Sequence, residues 1–165
     1  MNYQEKRTPY GREMYTLIYN WAVWLDKRPW LYYFLLLTWG CVESLVGLFI
    51  ALVMILSGHK PKKAHRGFYF ICGDNWGGFS ISFVSVIADG MGEEYTRRMV
   101  AHECGHSYQV ALLGIFWIFL VGIPSQMRYF RNNFYVKRKL EPPCYDLIWF
   151  EGEATDSGKF LSYGE

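Results

Sequence analysis

Three residues in the stretch "RRMVAHECGHSYQVALLG" have the types and spacing to hold a metal ion beside a base: His102, Glu103 and His106. Two imidazoles at positions i and i+4 lie about one turn apart on a helix and reach a common cation from the same side. Glu103 follows the first imidazole and projects toward the neighbouring edge of that cation. There it can take a proton from a water without becoming a ligand itself. "MVA" precedes the pair, which therefore opens onto the polar side of an otherwise apolar helix, where such residues destabilise unless used or paired. Gly105 allows another backbone to pass close by. Cys104 points elsewhere on the helical wheel and reads as a small buried residue.

A catalytic zinc keeps three protein ligands and one open position, so a third ligand must come from another element. His59 and His65 lie in a basic segment and are poor choices. The stretch "WFEGEATDSG" offers acids instead. Glu151 follows Trp149 and Phe150, an apolar anchor that would seat its helix against the helix of the histidines. Glu153 and Asp156 are expected to face water or to stand behind the ligands.

The elements that must position these groups follow from periodicity. Residues 1–30 are charged and aromatic, with Met14, Leu17, Ile18, Trp21 and Leu25 at helical spacing, an amphipathic helix that Pro29 should end. Residues 31–57, "LYYFLLLTWGCVESLVGLFIALVMILS", carry one charge, Glu43, and exceed the roughly 20 residues that cross a bilayer core. They are expected to form one transmembrane helix. Gly40, Ser44, Gly47 and Ala51 make a stripe of small residues on it, open to close approach by a partner helix. Glu43 borders that stripe and is expected to face protein rather than lipid.

Residues 58–165 are expected to form one further domain. It starts with the basic "HKPKKAHRG"; "FYFICG" and "FSISFVSVIAD", joined by "DNWGG", read as a β-hairpin. Periodicity over residues 79–87 fits an edge strand and an interior strand alike. A helix from about Thr96 to Leu113 carries the histidines. "GIFWIFLVGIPS" reads as a buried arm or a re-entrant segment, "RYFRNNFYVKRKLEPP" as a solvated or lipid-headgroup-facing connection, and "CYDLIWFEGEATDSGKF" as a short acidic helix. The fold class is thus α+β, one transmembrane helix followed by a small domain with a hairpin and a metal-site helix.

Composition narrows the partners. With 17 Lys and Arg against 15 Asp and Glu, the formal charge of +2 excludes nucleic acid as the main partner. An aromatic content of 19% suits a protein at a lipid boundary. Cys41, Cys72, Cys104 and Cys144 show no CxxC spacing and read as reduced thiols. They, together with the lysines clustered after residue 57, point to a single-pass membrane protein with its C-terminal domain in the cytoplasm.

"HECGH", followed by "EGEATDSG", resembles the gluzincin branch of the zincin metallopeptidases, whose membrane-bound members carry E-x-E-A-D-x-x-G. On that pattern Glu151 matches the third zinc ligand, Glu153 and Ala154 the middle, and Gly158 the final glycine. Thr155 stands where the family has Asp, commonly an acceptor for a ligand histidine. The order of "KPKK", "NWGG", "HECGH", "GIPS" and "WFEG" is also similar to a group of small bacterial membrane-anchored HExGH proteins.

The resemblance implies a Zn2+-dependent peptidase acting on a peptide or protein beside a lipid bilayer. His102, His106 and Glu151 would hold the metal, Glu103 would act as base, and Tyr145 or Arg128 would steady the oxyanion. The alternative is a non-enzymatic membrane scaffold, either metal-free or with a structural metal closed by a fourth ligand such as Cys104 or Asp156.

Overall fold

The structure, a computed structural model, describes residues 8–74, 76–90 and 92–163. Lys6 and Arg7, two of the charged residues near the N-terminus, lie outside them. The element order is α1 (Pro9–Asp26), α2 (Pro29–Thr38), α3 (Cys41–Leu56), β1 (Lys62–Lys63), β2 (Phe68–Asp74), β3 (Gly78–Ile81), β4 (Val84–Asp89), α4 (Glu93–Leu113), α5 (Ile123–Lys137) and α6 (Trp149–Tyr163). A 3-10 turn (Gly114–Phe116) and a π-helical turn (Ile118–Gly122) join α4 to α5. The architecture is α+β.

Helix α1 forms where periodicity places it, with Thr8 as N-cap accepting from the Gly11 amide at 3.1 Å. It buries Ile18, Ala22 and Leu25 against α4 and α6. At its end Asp26 accepts from the Tyr108 hydroxyl at 2.6 Å, from Arg66 Nε at 2.9 Å and pairs with His65 Nε2 at 2.8 Å.

The apolar run 31–57 is not one helix. It divides into α2 and α3, bent by 92° at Trp39 and Gly40, and no single helix among the described residues is long and apolar enough to cross a membrane. This overturns the expected transmembrane helix and the single-pass membrane placement, with the side of the membrane assigned from it. The bend is made by tertiary contacts. The Trp39 indole donates to the Leu112 carbonyl at 3.1 Å, and Ser44 Oγ reaches back across the break to the Leu36 carbonyl at 2.7 Å. Hydropathy counts apolar residues and is blind to such anchors.

The stripe of small residues packs within the chain. Gly40 lies against Val110 of α4, and a Cβ at Gly47 would meet the Ile81 carbonyl at 2.6 Å. Glu43, at the same interface, is fully buried, and neither carboxylate oxygen has a hydrogen-bond partner. Burial raises its pKa.

The sheet is mixed, with order β1-β2-β4-β3. β2 runs parallel to β4, with Phe68 opposite Val84, while β3 and β4 form the antiparallel hairpin, with Ser80 opposite Ser85. The expected strand over 79–87 is therefore broken at Ser82, which has φ +57° and is held by Ser44 Oγ at 2.9 Å. Alternation from Phe79 to Phe83 hid that turn, because Ser-Phe carries no Gly, Pro, Asn or Asp and its serine falls in step with the strand pattern. "DNWGG" leads to β3 rather than closing a hairpin, and β3 alone holds the edge beside α4.

Of the expected connection over 128–143, residues 128–137 belong to helix α5, which buries none of its residues. A large core unites Leu25, Tyr32, Leu36, Tyr108, Trp117 and Phe150, residues from α1, α2, α4, the π-turn boundary and α6.

Candidate metal centre

Helices α4 and α6 approach so closely that their backbones touch. A Cβ on Gly105 would fall on the Ala154 carbonyl, and one on Gly158 would fall on the Ala101 carbonyl. Only glycine fits at these two crossings, so the helix carrying Glu151 lies directly on the helix carrying the histidines. Glu151 Oε2 stands 3.2 Å from His102 Nε2 and 3.4 Å from His106 Nε2, and the two nitrogens are 3.2 Å apart. The three side chains form a group that could hold a metal ion, with ligand atoms all within 4.8 Å of one another.

The hydrogen bonds behind the ligands decide which way each imidazole faces. Gln109 Nε2 donates to the Phe150 carbonyl at 2.7 Å and to Glu153 Oε2 at 2.6 Å. Its Oε1 must then accept from His106 Nδ1, 2.8 Å away. A proton on Nδ1 leaves the Nε2 lone pair of the neutral ring pointing at Glu151. His102 is set in the same manner: its Nδ1 lies 2.9 Å from Thr155 Oγ1, which donates onward to Asp146 Oδ1 at 3.1 Å. Thr155 thus links His102 to a carboxylate from the turn before α6.

A positive charge among these three groups, a metal ion or a protonated imidazole, would satisfy the carboxylate. Glu151 is fully buried, and neither of its oxygens has a hydrogen-bond partner. An unpaired buried carboxylate is strongly destabilising, whereas one shared by a positive charge is not. Burial by itself would lower the pKa of His106, but the Glu151 carboxylate overrides it and lifts the value to about 9. Burial pushes Glu151 the other way, and the two imidazoles outweigh it, holding the carboxyl far below its usual range.

Glu103 is not part of that group. It is 4% exposed, accepts from Ser80 Oγ of β3 at 2.6 Å, and lines a cavity of about 650 Å³ together with His102 and His106. The cavity runs from β3 to the π-turn and α5, with Trp76, Phe79, Trp117, Tyr129 and Tyr145 among its walls. Glu151 closes the group from behind and does not reach the cavity.

Tyr145 lies with its ring centroid 6.4 Å from that of His102, and its hydroxyl is 3.2 Å from Ser125 Oγ. Burial, followed by the charge of Glu151, raises its pKa, so the phenol keeps a proton to donate. Arg128 does not line the cavity; it donates to the carbonyls of Cys144 and Tyr145 and holds that segment. Cys104 is buried in the core, where desolvation pushes its thiol up to about 12. Asp156 accepts from the Tyr15 hydroxyl at 2.7 Å, on the outside of α6. Glu153 sits behind the site, where burial lifts it to about 7.

Gln109 and Asp146 were not singled out from sequence. Gln109 stands three residues beyond His106, the spacing that returns to one helix face, and that was the only signal available. Asp146 is remote in sequence and offered none.

No family model, curated protein or solved structure matches the chain.

Proposed function

We propose that this protein is a zinc-dependent peptidase in which His102, His106 and Glu151 hold the metal and Glu103 is the general base. The observation that carries the reading is the fully buried Glu151 carboxylate, without a hydrogen-bond partner, facing two imidazoles whose Nδ1 atoms are already engaged. Two nitrogens and one carboxylate oxygen are a donor set that suits zinc. Bound there, zinc would supply a Lewis acid that polarises a carbonyl and acidifies a water.

The chain's own groups provide the remaining work. Glu103, on the cavity side, accepts a proton from the attacking water and delivers it to the departing amine. Ser80 fixes that carboxylate. Tyr145, protonated and at the cavity wall, donates to the oxygen that gains charge. β3, an edge strand beside Glu103, offers main-chain groups to an extended peptide. A closed structural site has less support, because neither Cys104 nor Asp156 joins the three ligands.

The test pairs metal analysis with hydrolysis. Wild type should bind about one zinc per chain, and His106→Ala and Glu151→Ala should lose it. Glu103→Gln should keep the metal while cleaving peptides roughly 100-fold slower or worse. Undiminished cleavage by Glu103→Gln would remove the base from the mechanism, and zinc retained without Glu151 would remove the site.

A further inference from the structure

Two stripes of large apolar side chains lie bare on the surface. On α3, Leu45, Phe49, Leu52 and Leu56 recur at steps of four, three and four, opposite the small residues that face the core; Leu45 is 67% and Phe49 66% exposed. From the 3-10 turn into α5, Phe116, Phe119, Ile123, Met127, Phe130 and Phe134 follow the same spacing, with Phe119 63% and Met127 66% exposed. Helix α3 packs beside the 3-10 turn from which the second stripe starts, and the rings of Trp39, just before α3, and Phe116 approach to 6.1 Å. Monomeric soluble proteins rarely leave contiguous apolar surface of this extent uncovered.

Charge selects what covers it. Between residues 114 and 140 the charged side chains are Arg128, Arg131, Lys137, Arg138 and Lys139, without one acid. Past the end of α3 come the exposed Lys60, Lys62 and Lys63, again without an acid before Asp74. Two copies packed through these stripes would bring basic borders together, which repel. Anionic lipid headgroups complement the same borders while acyl chains cover the apolar side chains. Neither helix pair crosses as a straight rod, being bent by 92° and 117°.

The second stripe is also part of the cavity. Ile123, Met127 and Phe130 belong to the exposed stripe and also line the cavity, so the two surfaces share these side chains.

We propose that the two stripes seat the protein in one leaflet of an anionic bilayer, without crossing it, and that the cavity takes an apolar peptide segment presented there. The substrate half of this rests on the peptidase reading; the docking half does not.

Flotation of the purified full chain with vesicles of phosphatidylglycerol and phosphatidylcholine tests the docking. Wild type should rise with the vesicles, less so in high salt or with phosphatidylcholine alone. Phe49→Glu and Phe119→Glu should each bind roughly tenfold more weakly or worse, because a buried Phe is exchanged for a charge. Both side chains face outward, so far-UV circular dichroism should match wild type. Independently of any variant, brominated acyl chains should quench wild-type tryptophan fluorescence, through Trp30 and Trp39 at the bent pair.

Wild type left at the bottom of the gradient, or a dimer that either variant dissociates, overturns the proposal. A reporter peptide tethered in the vesicle should be cut at least tenfold faster than the same peptide free in solution; equal rates overturn the substrate half. Flotation without cleavage of either peptide upholds the docking and defeats the peptidase reading instead.

Discussion

Gln109 Oε1 lies 2.8 Å from His106 Nδ1, and the side chain's amide nitrogen is held by Phe150 and Glu153 of the facing helix. One glutamine therefore fixes the tautomer of a candidate ligand and ties together the two helices that build the site. His102 receives the equivalent support from Thr155 and, through it, Asp146.

Removing either support should weaken metal binding without erasing it. Thr155→Val preserves shape and deletes the acceptor at His102, and Gln109→Leu deletes the one at His106. Each should lower zinc affinity roughly 10–100-fold, as the loss of such partners does at other metal sites. Competition with a chromophoric chelator reads this directly; unchanged affinity in both variants would show that the ligands orient themselves.

Metal binding should release a proton at neutral pH. His106 has a pKa of about 9 beside Glu151. At pH 7 its ring carries a proton that the metal must displace. Affinity should fall about tenfold per pH unit below 9 on this account, and calorimetry in buffers of differing ionisation enthalpy should count about one proton released per metal. Binding that is indifferent to pH between 7 and 9 would contradict this coupling.

The glycine crossings should tolerate no side chain. In Gly158→Ala the new methyl meets the Ala101 carbonyl, so α6 must move away from α4 and carry Glu151 from the histidines. The expected cost is about 1–3 kcal/mol or more, read as a fall in Tm of roughly 2–4 °C per kcal/mol, with metal affinity lost alongside. A variant that keeps both would mean that the crossing has slack.

Asp26 should set an acid limit to stability. Burial would raise its pKa, but hydrogen bonds from Tyr108, His65 and Arg66 hold it below the usual value. A depressed folded-state pKa gives stability that is present above the unfolded value near 4, and is lost as pH falls through the folded one. Asp26→Asn should be less stable at pH 7 by about 1 kcal/mol, and its denaturation midpoint should fall less steeply than that of wild type below pH 4. Parallel acid profiles would assign the limit to other groups.

How much of this was legible in sequence differs from one element to the next. The α+β class, the helix of His102 and His106 and the helix of Glu151 follow from local periodicity, and local periodicity survives folding. The break after Thr38 and the strand turn at Ser82 do not. Both are made by side chains that arrive from distant segments: Trp39 bonds to Leu112, and Ser44 to Ser82.

For the site the division is similar. By itself the sequence determined the residue types and the one-turn spacing of the two imidazoles, because helical geometry dictates that spacing wherever the helix sits. Only the tertiary structure decided that Glu151 meets them, that Gln109 and Asp146 stand behind them, and that the apolar run bends around α4. Apart from the one-turn step from His106 to Gln109, each of these depends on contacts between segments far apart in sequence, which no local pattern encodes.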